Sequence, residues 1–198
     1  MTIIFIDQFK KEKRHKMIAV IVILTIILST FIWNIYIQNQ WINDFNIPPS
    51  KNLTHKNAAA IIPSDINRLI DENSGKPILL YLYTSWCSAC KKQTPIINEI
   101  SREFQETDLQ VISVAIDKNL SEKSLIDFLS NYKNIFFKPY FLVYSDSLKE
   151  LLKNKGISYK NIIPFTVIID REGNIVKSFN GKKNNIYLKK QIIKTLGS

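Results

Sequence analysis

The stretch PILLYLYTSWCSACKKQTP occupies residues 77–95 and holds both cysteines of the chain, Cys87 and Cys90. It opens with a near-continuous apolar run, which predicts a strand buried on both faces. Apolar residues then recur at helical spacing through Phe104, and Pro95 should kink this helix. We therefore expect Cys87 at a helix N-terminus, where unpaired amides and the helix dipole favour a thiolate.

Cys90 follows Cys87 by about one helical turn, so the two sulfurs can form and break a disulfide. A metal site would need more ligands, and the only histidines are His15 and His55. A structural disulfide usually closes a longer loop, because a short one contributes little entropy. Two inert buried thiols are the remaining alternative. The pattern favours a redox dithiol, and we expect neither a metal nor a cofactor.

Residues 17–37 read MIAVIVILTIILSTFIWNIYI and carry no charge. At about 1.5 Å per residue, a helix of this length spans roughly the hydrocarbon core of a bilayer. Trp33, Tyr36 and Trp41 lie at its far end, where interfacial aromatic residues are common. The segment therefore predicts a single transmembrane helix, with the lipid bilayer as its partner.

The basic run KKEKRHK precedes this helix, so residues 1–16 should form a cytoplasmic basic tail. A cleaved signal peptide is the competing interpretation, but no Ala-x-Ala site follows the apolar stretch. Residues 38–62, with Pro48 and Pro49, indicate a spacer. We expect a single-pass protein of the inner (cytoplasmic) membrane whose main domain, residues 63–198, lies on the periplasmic or extracytoplasmic side.

The remaining sequence alternates strands and helices and then closes with a hairpin and a helix. This order predicts an α/β domain with a mixed sheet, because βαβ units pair strands in parallel and a hairpin pairs them antiparallel. The predicted strands are 77–84, 109–117, 136–144, 164–170 and 175–180; the predicted helices begin at Pro63, Ser88 and Ser121 and include 145–156 and a C-terminal amphipathic helix.

The formal net charge is +10, from 27 Lys and Arg against 17 Asp and Glu. The basic residues are scattered along the chain, which is typical of a solvated surface. Nucleic-acid binding would require a clustered patch with interleaved aromatic residues, so we expect no nucleic-acid partner. A preference for acidic partners or anionic lipid headgroups is compatible with this charge.

The sequence WCSAC (86–90) after an apolar strand resembles the active site of the thioredoxin superfamily. The segment IIPFTVIIDREGNIV (162–176) resembles the second landmark of that superfamily, a proline before a strand and a turn. The anchor, Pro95 and the extra helix and strand between 118 and 155 resemble the TlpA/DsbE-like branch. These are membrane-anchored thiol–disulfide oxidoreductases of the bacterial envelope. The resemblance covers roughly residues 60–198 and implies a thioredoxin-like sheet flanked by helices.

The same resemblance implies roles for individual residues. Cys87 would be the nucleophile and Cys90 the resolving thiol. The Ile163–Pro164 peptide bond would be cis, which is tolerated essentially only before proline, and would leave the Ile163 backbone free to pair with an extended substrate. Trp86 would shield the site and provide apolar contact surface.

Two positions depart from the family pattern. Many relatives carry Glu at the position of Gln93, and thioredoxins carry a buried Asp at the position of Tyr81. Both acids would serve proton transfer to and from the buried thiol. Gln cannot act as a base, and Tyr has a high ordinary pKa. Water, another group, or slow resolution by Cys90 are the alternatives that the sequence leaves open.

The sequence thus predicts a thiol–disulfide oxidoreductase that exchanges disulfides with exported proteins and depends on a membrane electron-transfer partner. The residues permit either direction, and the resemblance favours a reductase in cytochrome c maturation or in copper or redox stress. A non-catalytic client-binding module is one alternative. A copper carrier is another, although relatives of that kind pair a CxxxC motif with a histidine.

Overall fold

The computed structural model describes residues 17–36, 57–132 and 134–197. The chain divides into two compact units, Met1–Phe45 and Asn46–Ser198. In the first unit, helix α1 (Met17–Tyr36) has a mean hydropathy of 2.5 over its most apolar window and is long enough to cross a membrane. It is a candidate membrane span by length and composition. The predicted basic tail, Ile37, Trp41 and most of the predicted spacer lie outside the described residues.

The second unit contains six strands and five helices among its described residues. Its strands are β1 (Ala59–Ile61), β2 (Ile78–Tyr83), β3 (Gln110–Ala115), β4 (Lys138–Leu142), β5 (Phe165–Ile169) and β6 (Ile175–Asn180). Its helices are α2 (Pro63–Glu72), α3 (Ser88–Glu103), α4 (Glu122–Leu129), α5 (Leu148–Asn154) and α6 (Asn185–Leu196).

These strands form one sheet in the order β1-β4-β3-β2-β5-β6. The strands β1, β4, β3 and β2 pair in parallel, whereas β5 pairs antiparallel with both β2 and β6. The predicted α/β class with a mixed sheet is therefore confirmed. Because the first four strands are parallel, the loops that follow them all leave the sheet at one edge, and β5 begins at that same edge.

The first strand corrects the predicted end of the spacer. The sequence predicts that the spacer extends to residue 62, but Ala59–Ile61 pair with β4, with Ile61 opposite Leu142. Ile61 is buried in the hydrophobic core. Three residues are too few to show the alternation that marks a strand in sequence, so this strand is defined by its partner and not by its own pattern.

The centre of the sheet supports the cysteine pair. All six residues of β2 are buried, as the apolar run predicts. Leu80 and Leu82 pack in a core with Ile66, Val114 and Val167. Several other elements are shorter than predicted. The predicted strand 109–117 ends at 115, the strand 136–144 covers 138–142, and the helix 145–156 covers 148–154.

Candidate functional site

Cys87 is the N-cap residue of α3, as the sequence predicts. Its Sγ accepts a hydrogen bond from the backbone N–H of Cys90 at 3.3 Å, and its carbonyl accepts from the N–H of Lys91 at 3.0 Å. A sulfur in this position receives an amide that the helix leaves unpaired, an arrangement that favours negative charge on the acceptor. Both thiols are free, and Cys87 is 9% exposed whereas Cys90 is fully buried.

Cys90 lies in the interior beneath Cys87. Burial raises the pKa of the Cys90 thiol to about 12, and its hydrogen bond with Cys87 and the negative charge of Asp117 act in the same direction. A hydrogen bond from the Thr84 backbone partly opposes them. Cys90 therefore holds its proton at neutral pH, while Cys87 is the more accessible of the two sulfurs.

Asp117 is a part of this site that sequence reasoning missed. It is buried, and its carboxylate accepts hydrogen bonds from the Ser85 backbone N–H at 3.0 and 3.1 Å and from the Ser85 hydroxyl at 2.6 Å. Ser85 lies two residues before Cys87. The available signal was an acidic residue at the end of the apolar run 109–117, since the ends of parallel strands meet at one edge.

Tyr81 and Thr94 support the backbone of Cys90. The Thr94 hydroxyl donates to the Cys90 carbonyl at 2.9 Å and also lies 3.1 Å from the Tyr81 hydroxyl. Burial raises the pKa of Tyr81 well above its ordinary value. Tyr81 is therefore a neutral hydrogen-bonding group within the core, beside the helix turn that carries the buried thiol, and it stays protonated at neutral pH.

Gln93 connects α3 to a distant loop. Its side chain is buried, and its Oε1 accepts a hydrogen bond from the backbone N–H of Lys183 at 2.7 Å. Its Nε2 has no hydrogen-bond partner among the described residues. The loop that contains Lys183 also contacts the second landmark of the site, because the N–H of Gly181 donates to the carbonyl of Pro164 at 2.8 Å.

The Ile163–Pro164 peptide bond is cis, which confirms the prediction. Phe165 follows at the start of β5 and pairs with Leu82 of β2. Pro164 therefore lies at the edge of the sheet from which the chain continues to Cys87. The pairing of β5 with β2 brings the segment of Ile163 and Pro164 to the same edge as Cys87, although the two segments are far apart in sequence.

Apolar side chains are exposed at this edge. Trp86 is 70% exposed and Ile162 is 48% exposed, while Ile163 is half-buried. Because its side chain is exposed, Trp86 is not a core residue. Its predicted contact with a substrate stays a prediction, as do the predicted roles of Ile163 and Pro164.

No group of three or more His, Cys, Asp or Glu side chains that could hold a metal ion occurs within the parts of the chain that the structure describes. His15 and His55, the only histidines, lie outside those parts.

Comparison with known families identifies the domain. Residues 67–195 match the family model described as Redoxin. The chain belongs to the Redoxin family. This match includes both cysteines, Asp117 and the Ile163–Pro164 bond, and it begins within α2 and ends within α6.

Individual curated relatives are similar over more than half of this chain. The thiol-disulfide oxidoreductase ResA of Bacillus thuringiensis subsp. konkukian is 25% identical over 120 residues, which are 61% of this chain and 64% of that protein. This chain therefore covers less than two thirds of that relative. A ResA of Bacillus cereus is 22% identical over 174 residues, 86% of this chain and 91% of its own length.

A solved structure shows the same fold. The thiol:disulfide interchange protein, a thioredoxin family protein from Chlorobium tepidum, superposes with a TM-score of 0.53 at 16% identity. The superposition covers 64% of this chain and 84% of that structure. The predicted thioredoxin-like sheet flanked by helices is therefore confirmed.

Proposed function

We propose that this Redoxin protein is a thiol–disulfide oxidoreductase of the bacterial cell envelope, with Cys87 and Cys90 as its redox couple. The unequal burial of the two sulfurs is the observation that carries this proposal. Cys87 lies at a helix N-terminus and keeps 9% of its surface exposed, while Cys90 is fully buried with a raised pKa. The names of the ResA relatives support the same chemistry.

The reaction that we propose begins with attack of the Cys87 thiolate on a client disulfide. A bond forms between Cys87 Sγ and one client sulfur, and the other client sulfur leaves as a thiolate that takes up a proton. Cys90 then loses its proton, and its sulfur attacks Cys87 Sγ. The client regains its second thiol, the protein holds a Cys87–Cys90 disulfide, and one electron pair has moved to the client.

The roles of the neighbouring residues follow from their positions. Trp86, with its exposed ring, supplies apolar contact to the client. The backbone of Ile163 pairs with an extended client segment beside Pro164. We propose no metal and no cofactor, because the two sulfurs alone carry the electrons.

We further propose that residues 17–37 anchor the protein in the inner membrane and that the second unit lies on the extracytoplasmic side. There the clients are exported proteins, and a membrane electron donor restores the dithiol. The apolar helix α1 supports the anchor. A membrane-impermeant thiol reagent applied to intact cells should label Cys87 after reduction; labelling only after lysis would contradict this orientation.

The central test uses the full chain in a neutral detergent, with dithiothreitol as reductant and insulin as the disulfide substrate. Wild-type protein should accelerate insulin reduction, and Cys87→Ser should abolish that acceleration. Cys90→Ser should instead accumulate a mixed disulfide through Cys87. Equal rates for wild type and Cys87→Ser would contradict the proposed function.

The reduction potential of the Cys87–Cys90 couple tests the direction of exchange. We propose a reductase, of the kind that acts in cytochrome c maturation or in copper or redox stress. Equilibration of the full chain with glutathione gives the reduction potential of the couple. About −270 mV, the value of thioredoxin, would support a reductase, whereas about −120 mV, the value of the envelope oxidant DsbA, would contradict it.

A further inference from the structure

Six lysines that are scattered in the sequence belong to segments that meet at the edge of the sheet bearing Cys87 and Cys90, which we call the site edge. Lys91 and Lys92 follow Cys90 in the first turn of α3. Lys118 follows Asp117, whose carboxylate binds Ser85. Lys160 lies in the loop before β5, four positions before Pro164, and Lys182 and Lys183 lie in the loop after β6.

Hydrogen bonds hold several of these lysines close to the reactive residues. The N–H of Lys91 donates to the carbonyl of Cys87. Lys182 lies between Gly181, which donates to the Pro164 carbonyl, and Lys183, whose N–H donates to Gln93. The backbone of Lys91, Lys182 and Lys183 is therefore held beside the segments that carry the cysteine pair and Pro164.

These lysines are not neutralised within the described part of the domain. The ion pairs among its described residues use other cations, namely Arg68, Lys155, Arg171 and Lys189. The Nζ of Lys183 donates to the Asn180 carbonyl, which carries no charge. None of the six lysines therefore has a carboxylate partner among residues 57–132 or 134–197.

The carboxylates of this edge are either occupied or on its far side. Asp117 is buried and accepts hydrogen bonds from Ser85. Asp146 and Glu122 are exposed, but they lie in the loop after β4 and at the start of α4. The edge is therefore positive around β2, β5 and β6, and its acidic groups lie toward β4 and β1.

We propose that this surface selects client segments that carry acidic residues beside the reactive disulfide. The inference rests on the proposed function and names the chemistry of its clients. The exposed ring of Trp86 and the side chain of Ile162 give the surface an apolar centre. An apolar centre with a charged rim is typical of protein interfaces, and an exposed Trp is a frequent source of binding energy. Unpaired charges around the centre accelerate encounter with a partner of opposite sign.

The test compares two disulfide peptides that differ only in their flanks, with Glu in one and Gln in the other. The full chain in neutral detergent reduces each peptide at ionic strengths of about 0.01 M and about 1 M, where the Debye length falls from about 30 Å to about 3 Å. The acidic peptide should react about tenfold faster at low salt, and this preference should disappear at high salt. Equal rates for the two peptides at low salt would overturn the proposal.

A matched pair of triple variants locates the effect. K118Q/K160Q/K182Q removes three charges from the site edge without changing the helix that carries the cysteines. K76Q/K149Q/K153Q removes three exposed charges elsewhere in the domain. The first variant should lose most of the preference and the second should keep it. If both variants lost the preference equally, the preference would depend only on the net charge of the protein, and the proposal would be overturned.

Two outcomes distinguish this proposal from a failure of the proposed function and from lipid binding. Failure of wild type to exceed Cys87→Ser on either peptide would reject the proposed function itself, whereas equal reduction of both peptides rejects only the selection of acidic clients. An anionic lipid surface is the other possible ligand of the lysines. If nanodiscs with anionic lipid slow reduction of the Gln peptide by wild type but not by K118Q/K160Q/K182Q, the lysines bind lipid and the proposal is wrong.

Discussion

The carboxylate of Asp117 accepts hydrogen bonds from both the backbone and the hydroxyl of Ser85, 32 positions away in the sequence. This contact joins the loop after β3 to the loop that leads from β2 to Cys87. It also fixes a buried negative charge where it raises the pKa of Cys90. Asp117 therefore affects both the position of the Cys87 sulfur and the protonation of the Cys90 thiol.

Replacing Asp117 by Asn should separate these two effects. In a Cys87→Ser background, where Cys90 is the only thiol, Asp117→Asn should lower the pKa of Cys90 because it removes a nearby negative charge. Ser85→Ala keeps that charge and should leave the pKa raised, while it costs about 1 kcal/mol for the lost hydrogen bond. Ultraviolet absorbance of the thiolate during a pH titration measures the difference. Identical titrations for Asp117→Asn and its parent would refute the electrostatic role.

The raised pKa of Cys90 makes the stability of the reduced protein depend on pH. The unfolded thiol releases its proton near its ordinary pKa of 9.0, whereas the folded thiol retains it up to about 12. The contribution to stability is therefore complete below pH 9.0 and is lost between these values. The loss proceeds at up to about 1.4 kcal/mol per pH unit.

Urea denaturation of the reduced full chain in neutral detergent, followed at increasing pH, measures this slope. Cys90→Ser is the control, because it lacks the titrating thiol and retains the buried tyrosines. Its free energy of unfolding should fall less steeply than that of the wild type above pH 9.0. Parallel curves for the two proteins would show that Cys90 titrates normally.

Gln93 should act as a connection between α3 and the loop beside Pro164. Gln93→Met keeps a side chain of similar length but removes the acceptor for the Lys183 N–H, so it should cost about 1–3 kcal/mol and expose that amide to hydrogen exchange. Gln93→Glu retains an acceptor oxygen and should protect the same amide. Unchanged exchange at Lys183 in Gln93→Met would contradict this connection.

Ile61, the last residue of β1, and Ile62, which follows it, can be compared directly. Ile61 is 5% exposed and belongs to the core, whereas Ile62 is 39% exposed. Ile61→Ala should therefore destabilise the domain by about 2–4 kcal/mol, and Ile62→Ala should cost less than about 1 kcal/mol. Urea denaturation measures both values. Equal small losses would mean that residues 59–61 contribute little to the folded domain.

The sequence predicts those parts of the fold that depend on long local patterns. The run 77–84 and the helical spacing after Cys90 correctly locate β2, α3 and the N-cap position of Cys87. Burial of a whole strand requires a continuous apolar run, and a helix of sixteen residues shows its period clearly. The chemistry at the junction of these two elements was therefore accessible from sequence alone.

The parts that could not be predicted depend on contacts between distant residues. Asp117 and Ser85 meet only because β2 and β3 pair in parallel. The link from Gln93 to Lys183 joins residues 90 positions apart. Strand β1 is too short to carry its own periodicity, and the lysines of the site edge are dispersed over four segments. In each case the information comes from contacts between segments that are distant in the sequence.

The two border strands of the sheet affect how this protein interacts with extended polypeptides. On one side the sheet terminates in β1, a strand of three residues, and on the other in β6, whose outward residues include Lys177. Short or charged border strands resist lateral pairing with foreign chains, the step by which unfolded proteins seed aggregates. Under the proposed function, the domain can thereby release its clients after exchange, with little risk of joining them into a continuous intermolecular sheet.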